Sequence, residues 1–200
     1  MINLAVFVSG RGSNLRALYE KFIVGESYPK IKFVIGNKSN CPALDFAREK
    51  GIQTLIVSKT SSEKSISYKE LAGTLNNNNI SIVVLAGFLK KIPDDFIDEF
   101  NGKIINIHPA LLPRYGGKGM YGMNVHKAVF ENGDKFSGAT VHFVDKIYDH
   151  GEIIAQQKVR VDDAASPEEI AGKVLEIEHL LLPETVLKIA EQIISEKGLV

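Results

Sequence analysis

The segment INLAVFVSGRGSNLRALYEKFIV, residues 2–24, joins an apolar run, a glycine-containing loop and a helical pattern. Its first part, Ile2–Val8, is apolar apart from Asn3 and does not alternate, as is typical of a strand that is covered on both faces. Gly10 and Gly12 lie in the loop, and Ser13–Val24 has the spacing of a helix. We therefore predict a strand, a tight turn and a helix, which together begin a βαβ unit.

Comparable runs recur through the first hundred residues. Further strands are predicted at Ile31–Ile35, Thr54–Val57, Ile80–Ala86 and Lys103–Ile107. Helices are predicted at Pro42–Lys50, Glu63–Asn76 and Pro93–Phe100. Strands and helices that alternate at this spacing predict a parallel sheet.

The second half of the chain has a different pattern. Pro109–Asn124 contains glycines and prolines with little periodicity, and such a long loop is usually functional or disordered. The elements predicted after it are a helix at Val125–Asn132 and two strands, Ala139–Val144 and Glu152–Val161, joined by a polar turn at Asp145–Gly151. A last helix is predicted to begin at Ser166-Pro167 with a capping box to Glu169, and Pro183 is predicted to break or kink it.

These elements predict an α/β fold in a single domain that covers residues 1–200. The expected architecture is a Rossmann-like open sheet with helices on both faces. Its N-terminal half is expected to be parallel, and the C-terminal half is expected to add antiparallel strands.

The composition limits the class of protein. The 200 residues include 24 Lys and Arg and 24 Asp and Glu, and a formal net charge of zero argues against a general nucleic-acid surface. No apolar run approaches the roughly 20 residues that cross a bilayer, and the first residues lack the basic region of a signal peptide. The single cysteine, Cys41, suits a reducing compartment. We expect a cytoplasmic protein with neither a nucleic-acid nor a membrane partner.

The loop Ser9–Leu15 is the first candidate site. Its glycines permit close approach of an anion, and free N–H groups at the following helix start favour phosphate. Leu15 stands where the dinucleotide pattern requires a third glycine, and a Walker lysine is missing. The loop therefore suits one phosphomonoester, while a tight turn with a good helix cap is the alternative interpretation.

Asn106-Ile107-His108-Pro109 is the second candidate, at the end of a predicted buried strand. Alternate residues share one face of a strand, so Asn106 and His108 can point to the same place. An amide beside an imidazole suits a developing oxyanion and a proton transfer. On spacing alone, a capping Asn and a structural His are the commoner explanation.

The turn Asp145–Gly151 is the third candidate, since either Asp145 or Asp149 could orient His108 if the turn folds over the sheet. Solvated turn acids are nevertheless the common case. His142, between Val141 and Phe143, is interpreted as a packed structural residue. The five histidines form no H-E-x-x-H pattern and one cysteine excludes a thiolate zinc cluster, so no metal is expected.

In order and spacing, five motifs resemble those of the folate-dependent formyltransferases. They are SGRGSNL at 9–15, LAGFLKKI at 85–92, NIHPALLPRY at 106–115, GATVHFVD at 138–145 and DHGEII at 149–154. The resemblance is strongest to the members that act on phosphoribosylglycinamide (GAR). It implies direct formyl transfer from the co-substrate 10-formyltetrahydrofolate to the GAR amine, without a metal.

The resemblance also implies site residues. Asn106, His108 and Asp149 match the catalytic trio: the amide would bind the formyl oxygen, the imidazolium would stabilise the oxyanion, and the carboxylate would hold that charge. The substrate phosphate and ribose would be bound by Gly12, Ser13, Asn14 and Glu178. The folate would be bound by Leu89, Lys90, Lys91, Ile92, Asp145, Lys146, Ile147 and Tyr148.

The same scaffold serves other functions. A formyltransferase that acts on transfer RNA is expected to carry a further C-terminal domain, and a formyltetrahydrofolate hydrolase an N-terminal regulatory domain. Neither is expected to have the Gly12-Ser13-Asn14 loop, which favours GAR. A non-catalytic folate- or nucleotide-binding module would not need all three of Asn106, His108 and Asp149. A monomer and a homodimer are both compatible with the sequence.

Overall fold

The computed structural model describes residues 2–23, 29–196 and 198. In chain order the elements of the first half are β1 (Asn3–Val8), α1 (Ser13–Phe22), β2 (Lys30–Gly36), α2 (Pro42–Glu49), β3 (Gln53–Ser58), β4 (Ile66–Ser67), α3 (Tyr68–Asn77) and β5 (Ile80–Leu85). Those of the second half are α4 (Asp94–Glu99), β6 (Lys103–His108), α5 (Met123–Glu131), β7 (Phe136–Phe143), β8 (Ile153–Arg160) and α6 (Pro167–Glu196).

The strands form one open sheet in the order β4-β3-β2-β1-β5-β6-β7-β8. Pairing is parallel from β4 to β6, while β6–β7 and β7–β8 are antiparallel. This confirms the predicted α/β sheet with its added antiparallel strands. The strand order reverses between β1 and β5, so the loops that follow these two strands diverge and leave a crevice at their carboxyl ends.

Helices cover both faces of the sheet. In β1, Leu4 and Val6 pack into a core with α1, α2, α5 and α6, whereas Ala5 and Phe7 pack into a second core with α3 and α4. A strand buried on both faces must be apolar at successive positions, which explains the continuous run in the sequence. Among the described residues, no helix combines the length and the apolar character that a bilayer crossing requires.

The start of α3 was predicted wrongly. The predicted helix began at Glu63, but Ile66–Ser67 forms the short strand β4 and the helix begins at Tyr68. The Ser67 hydroxyl accepts from the Glu70 N–H, and the Glu70 carboxylate accepts from the Ser67 N–H. This capping box provides the local reason for a later start. Val24, the predicted end of the first helix, lies outside the described residues.

Of the break or kink predicted at Pro183, the break does not occur, because α6 continues through Pro183 to Glu196. Leu182 and Val186 are buried on either side of the proline, so packing against the sheet offsets the lost backbone hydrogen bond. At the helix start the Ser166 hydroxyl accepts from the Glu169 N–H, as predicted. The Glu169 carboxylate accepts from the Ala165 N–H, however, instead of completing the box at Ser166.

Candidate active site

A cleft of about 770 Å³ lies at the carboxyl ends of β1, β5 and β6, where the strand order reverses. This is where open α/β sheets bind ligands. Its walls come from the loop after β1 and the start of α1, the loop after β5, the end of β6, residues 117–122, the end of β7 with the turn after it, and one residue each of α5 and α6. All three candidate sites of the sequence therefore open into one cavity.

Asn106 and His108 lie on β6 two residues apart, and both line the cleft. Residues at this spacing point to the same face of a strand. The antiparallel register with β7 places His142 opposite Asn106, and Asn106 Nδ2 lies 3.1 Å from His142 Nε2. His142 is thus a member of the polar cluster as well as a packed strand residue.

Asp149 reaches this cluster from the turn after β7. Its Oδ1 lies 3.6 Å from His108 Nδ1 and 3.6 Å from His142 Nε2, and its Oδ2 accepts from the Gly117 N–H at 2.9 Å. The backbone of Asp149 has φ 54°, a left-handed conformation that few residues other than glycine adopt. The turn therefore folds over the sheet, the condition under which a turn carboxylate could act on His108.

Burial determines the charge of His108. Its side chain is 3% exposed, and desolvation lowers the pKa of the imidazole below its usual value, although Asp149 and the Tyr115 carbonyl oppose the change. Burial alone would raise the pKa of Asp149. The neighbouring His142 and His108 and the hydrogen bond from the Gly117 N–H outweigh that effect, so the pKa of the carboxyl lies below its usual range. Near neutral pH the cleft therefore holds an ionised Asp149 beside a neutral His108.

The other end of the cleft contains the predicted phosphate loop. Gly12 precedes α1 with φ 75°, and Ser13 and Asn14 form the first turn of that helix. The N–H groups of a first helical turn have no intrahelical partners and favour anions. Gly12, Ser13, Asn14 and Glu178 all line the cleft. The start of α1 and the imidazole of His108 therefore border one continuous space.

Glu178 of α6 meets this loop directly. Its Oε2 accepts from Asn14 Nδ2 at 2.7 Å, and both side chains are buried. Burial raises the pKa of Glu178 to about 7, against the opposing hydrogen bond from Asn14. Within the described residues, Asn14 Oδ1 has no hydrogen-bond partner, so the buried pair retains an acceptor.

The predicted folate residues line the remaining wall, with one exception. Leu89, Lys90, Lys91, Ile92, Asp145, Ile147 and Tyr148 all border the cleft. Ile92 is buried, while Leu89 and Ile147 are more than half exposed. The exception is Lys146, whose ammonium group pairs with Asp98 of α4 at 2.8 Å and which is not among the residues that line the cleft.

Three features of the site were not anticipated as functional. His142 and His126 are buried and line the cleft, and the Tyr115 carbonyl contacts His108 Nε2 at 2.8 Å. The position of His142 between two apolar residues of a predicted strand could have indicated a buried polar group in the site. Burial lowers the pKa of His126 to about 4, with His108 as a second cause, so this imidazole is neutral near pH 7.

Within residues 2–23, 29–196 and 198, no group of three or more His, Cys, Asp or Glu side chains is arranged to hold a metal ion. Cys41, the single cysteine, is buried, and its thiol donates to the Gly10 carbonyl at 3.1 Å.

Comparisons with known proteins agree with one another. The chain is 46% identical over 191 residues to the chloroplastic phosphoribosylglycinamide formyltransferase of Arabidopsis thaliana, and the match covers 94% of this chain and 65% of that protein. The chain thus spans less than two thirds of the length of this plant relative. The Escherichia coli phosphoribosylglycinamide formyltransferase is 35% identical over 184 residues, covering 91% of this chain and 84% of that one.

Solved structures lead to the same family. The crystal structure of phosphoribosylglycinamide formyltransferase from Anaplasma phagocytophilum superposes with a TM-score of 0.84 at 34% identity, covering 96% of this chain and 87% of that one. Residues 2–186 match the family described as formyl transferase. The chain therefore belongs to the formyl transferase family.

Proposed function

We propose that this protein transfers a formyl group from 10-formyltetrahydrofolate to the amine of GAR, giving formyl-GAR and tetrahydrofolate in purine biosynthesis. One observation carries the proposal: Asn106, His108 and Asp149 converge in a cleft that also reaches the anion-binding start of α1. The names of the Arabidopsis and E. coli relatives support the same reaction.

Asn106 would donate a hydrogen bond to the formyl oxygen. As the amine nitrogen bonds to the formyl carbon, the electron pair of the C=O bond moves to that oxygen, and a preplaced donor stabilises the charge. Asn106 is preplaced because its amide is held 3.1 Å from His142 Nε2. Removing one such donor costs about 10²–10³ in rate at comparable sites.

His108 would act first as a base. The resemblance implied an imidazolium, but burial lowers the pKa of His108 and favours the neutral imidazole. A neutral His108 can accept the proton that the attacking amine loses. The resulting imidazolium lies 3.6 Å from the Asp149 carboxylate and can stabilise the oxyanion. The oxyanion electron pair then re-forms the C=O bond, the bond from the formyl carbon to the folate nitrogen breaks, and that nitrogen takes up the proton that His108 had accepted.

The acceptor would be held by its phosphate and ribose. Backbone N–H groups of the first turn of α1 suit the phosphate, since the positive end of the helix dipole lies there. The buried Asn14–Glu178 pair presents carboxylate and amide oxygens that can accept from ribose hydroxyls. This arrangement leaves the amine end of the acceptor free to reach His108.

The folate would occupy the wall formed by residues 89–92 and the turn before Asp149. An apolar slot with a few polar groups is typical of small-ligand pockets. Ile92 supplies buried apolar surface, and Leu89, Ile147 and Tyr148 expose apolar area at the rim. All of these groups come from one chain, so both a monomer and a homodimer are compatible with the proposal. One buried free cysteine suits a reducing compartment such as the cytoplasm.

Turnover of GAR and 10-formyltetrahydrofolate by the purified protein, without added metal, is the primary test. We expect tetrahydrofolate to form, and His108→Ala to reduce kcat by at least about 10²-fold. His179→Ala is a matched control, because this histidine neighbours Glu178 in the sequence but does not line the cleft. Binding of both ligands without turnover would instead support a binding module.

A second experiment separates anchoring from chemistry. Ser13→Ala or Asn14→Ala is expected to raise KM for GAR with little change in kcat, because these residues contact a part of the acceptor that does not react. Asn106→Ala is expected to lower kcat. If Ser13→Ala or Asn14→Ala mainly lowers kcat and Asn106→Ala mainly raises KM for GAR, the assignment of one end of the cleft to binding and the other to chemistry is refuted.

A further inference from the structure

We propose that Tyr115 is a positioning residue for His108: its anchored side chain holds the Tyr115 carbonyl against His108 Nε2, so that Nδ1 becomes the nitrogen that gains and loses the proton. This inference deepens the proposed function and depends on it for its catalytic consequence.

The carbonyl determines the tautomer. Tyr115 O lies 2.8 Å from His108 Nε2, and a carbonyl oxygen can only accept a hydrogen bond. Nε2 therefore carries a hydrogen in both the neutral and the charged imidazole. The remaining nitrogen, Nδ1, faces Asp149 Oδ1 at 3.6 Å. The exchangeable proton is thereby located on the side of the ring that faces the carboxylate.

The backbone of Tyr115 depends on support to hold this direction. Its φ is 57°, a left-handed conformation that costs free energy for a residue with a Cβ atom. Such a conformation persists only where the surroundings determine it. The carbonyl direction is therefore sensitive to the contacts of the Tyr115 side chain.

Those contacts tie Tyr115 to the residues that follow α5. The Tyr115 hydroxyl donates to Asp134 Oδ2 at 2.5 Å and accepts from Asn132 Nδ2 at 3.0 Å and from Arg114 Nη2 at 3.1 Å. The Arg114 guanidinium also pairs with Asp134 at 3.0 Å and lies 5.1 Å from the Tyr115 ring centre. The hydroxyl thus links the loop after β6 to the end of α5.

Other ionisable groups also face His108. They are Asp149 from the turn after β7, His142 from β7 and His126 from α5. None of them hydrogen-bonds to the Tyr115 hydroxyl in the described part of the chain. Removal of that hydroxyl therefore changes the carbonyl contact while the residues that face the imidazole stay the same.

Tyr115→Phe is the test, with two readouts. In ¹⁵N NMR of the protein alone, wild-type His108 is expected to carry its hydrogen on Nε2, and the variant is expected to populate the Nδ1–H tautomer as well. The loss of one hydrogen bond is expected to lower kcat about fivefold to tenfold, with KM for GAR nearly unchanged. Since the carbonyl favours the protonated imidazole, the acid limb of the kcat/KM profile should move to lower pH.

Controls keep the outcome decisive. Tyr19→Phe makes the same chemical change on α1, where the ring packs on Phe46, and should leave the His108 tautomer and the pH profile unaltered. Asp134→Ala removes the acceptor of the Tyr115 hydroxyl without altering Tyr115. If Tyr115→Phe does not fold, Asp134→Ala should show the effects expected of Tyr115→Phe. A Nε2–H tautomer and a pH profile that stay at the wild-type values in both variants would overturn the proposal. The NMR comparison needs no turnover, so it is separate from any failure of the proposed reaction.

Discussion

Replacement of Gly12 by Ala should damage both stability and acceptor binding, because the residue is confined in two ways. Its φ of 75° is strained for any residue with a Cβ atom. A Cβ at this position would also lie 2.5 Å from Ala43 Cβ and 3.2 Å from Ala43 Cα, at the start of α2. The new methyl group would therefore meet a short side chain and backbone that cannot rotate away.

The two effects can be given magnitudes. The left-handed conformation costs a residue with a Cβ atom about 1–2 kcal/mol. Overpacking in a close-packed region costs about 1–3 kcal/mol. We therefore expect Gly12→Ala to lower the free energy of unfolding by about 2–5 kcal/mol, and to raise KM for GAR because the start of α1 must shift.

Gly10→Ala provides the matched control. Gly10 lies in the same loop, its φ is outside the left-handed region, and a Cβ there would have no neighbour within 4 Å. Its unfolding free energy should stay within about 0.5 kcal/mol of wild type, as is usual for open sites. Combining Gly12→Ala with Ala43→Gly should recover the stability that the steric clash removes. It should not recover the stability that the left-handed backbone conformation removes.

Urea unfolding of the wild type and these three variants, followed by circular dichroism, measures these differences through midpoint and slope. Steady-state kinetics with varied GAR measures the second effect. Equal stability of Gly12→Ala and Gly10→Ala would refute the argument from close approach. Full recovery in the double variant would show that the backbone conformation carries no cost.

Three further predictions concern buried groups. The pKa of Glu178 is raised from 4.5 to about 7, so at about 1.36 kcal/mol per pH unit the wild type should lose about 3 kcal/mol of stability as pH rises from 4.5 to 7. Glu178→Gln should abolish this loss of stability. If urea unfolding shows the same change of the free energy of unfolding with pH in wild type and variant, the prediction is contradicted. Thr140→Val should lower the free energy of unfolding by about 2–3 kcal/mol, because the Thr140 hydroxyl donates to Ala110 O and accepts from the Leu112 N–H. An unchanged midpoint of urea unfolding would refute this prediction. Phe96→Ala should lower the free energy of unfolding by about 3–5 kcal/mol, because the fully buried Phe96 ring packs on Phe7 and Phe100. Thermal or urea unfolding measures this change. A decrease below about 1 kcal/mol would show that the surrounding side chains close the cavity.

The parallel half of the sheet was predictable because its strands are buried on both faces. Each apolar run from Ile2–Val8 to Lys103–Ile107 corresponds to a strand whose bounds differ by at most one residue. The start of β7 was missed by three residues, since Phe136-Ser137-Gly138 resembles a turn. Gly138 is in fact required inside the strand, because a Cβ there would lie 2.1 Å from the Gln157 carbonyl oxygen.

The candidate site was predictable only in part. Strand alternation placed Asn106 and His108 together, but the meeting of Asp149 with His108 depends on a turn folding back over the sheet, which local spacing does not encode. The resemblance supplied that link. The Tyr115 carbonyl and the Gly117 N–H act through backbone atoms, and backbone groups leave no side-chain signal in a sequence. The catalytic roles remain predictions.

The long helix α6 has a consequence for redesign. At about 1.5 Å per residue its 30 residues extend about 45 Å, and it packs on α1, α5, β7 and β8. Glu178, which we propose binds the acceptor, lies on this helix, and the strand that carries His142 packs against it, so both depend on one support. We expect substitutions on the face of α6 that contacts α1 to change which acceptor is preferred. A shift of the whole helix should change both that preference and the reaction rate.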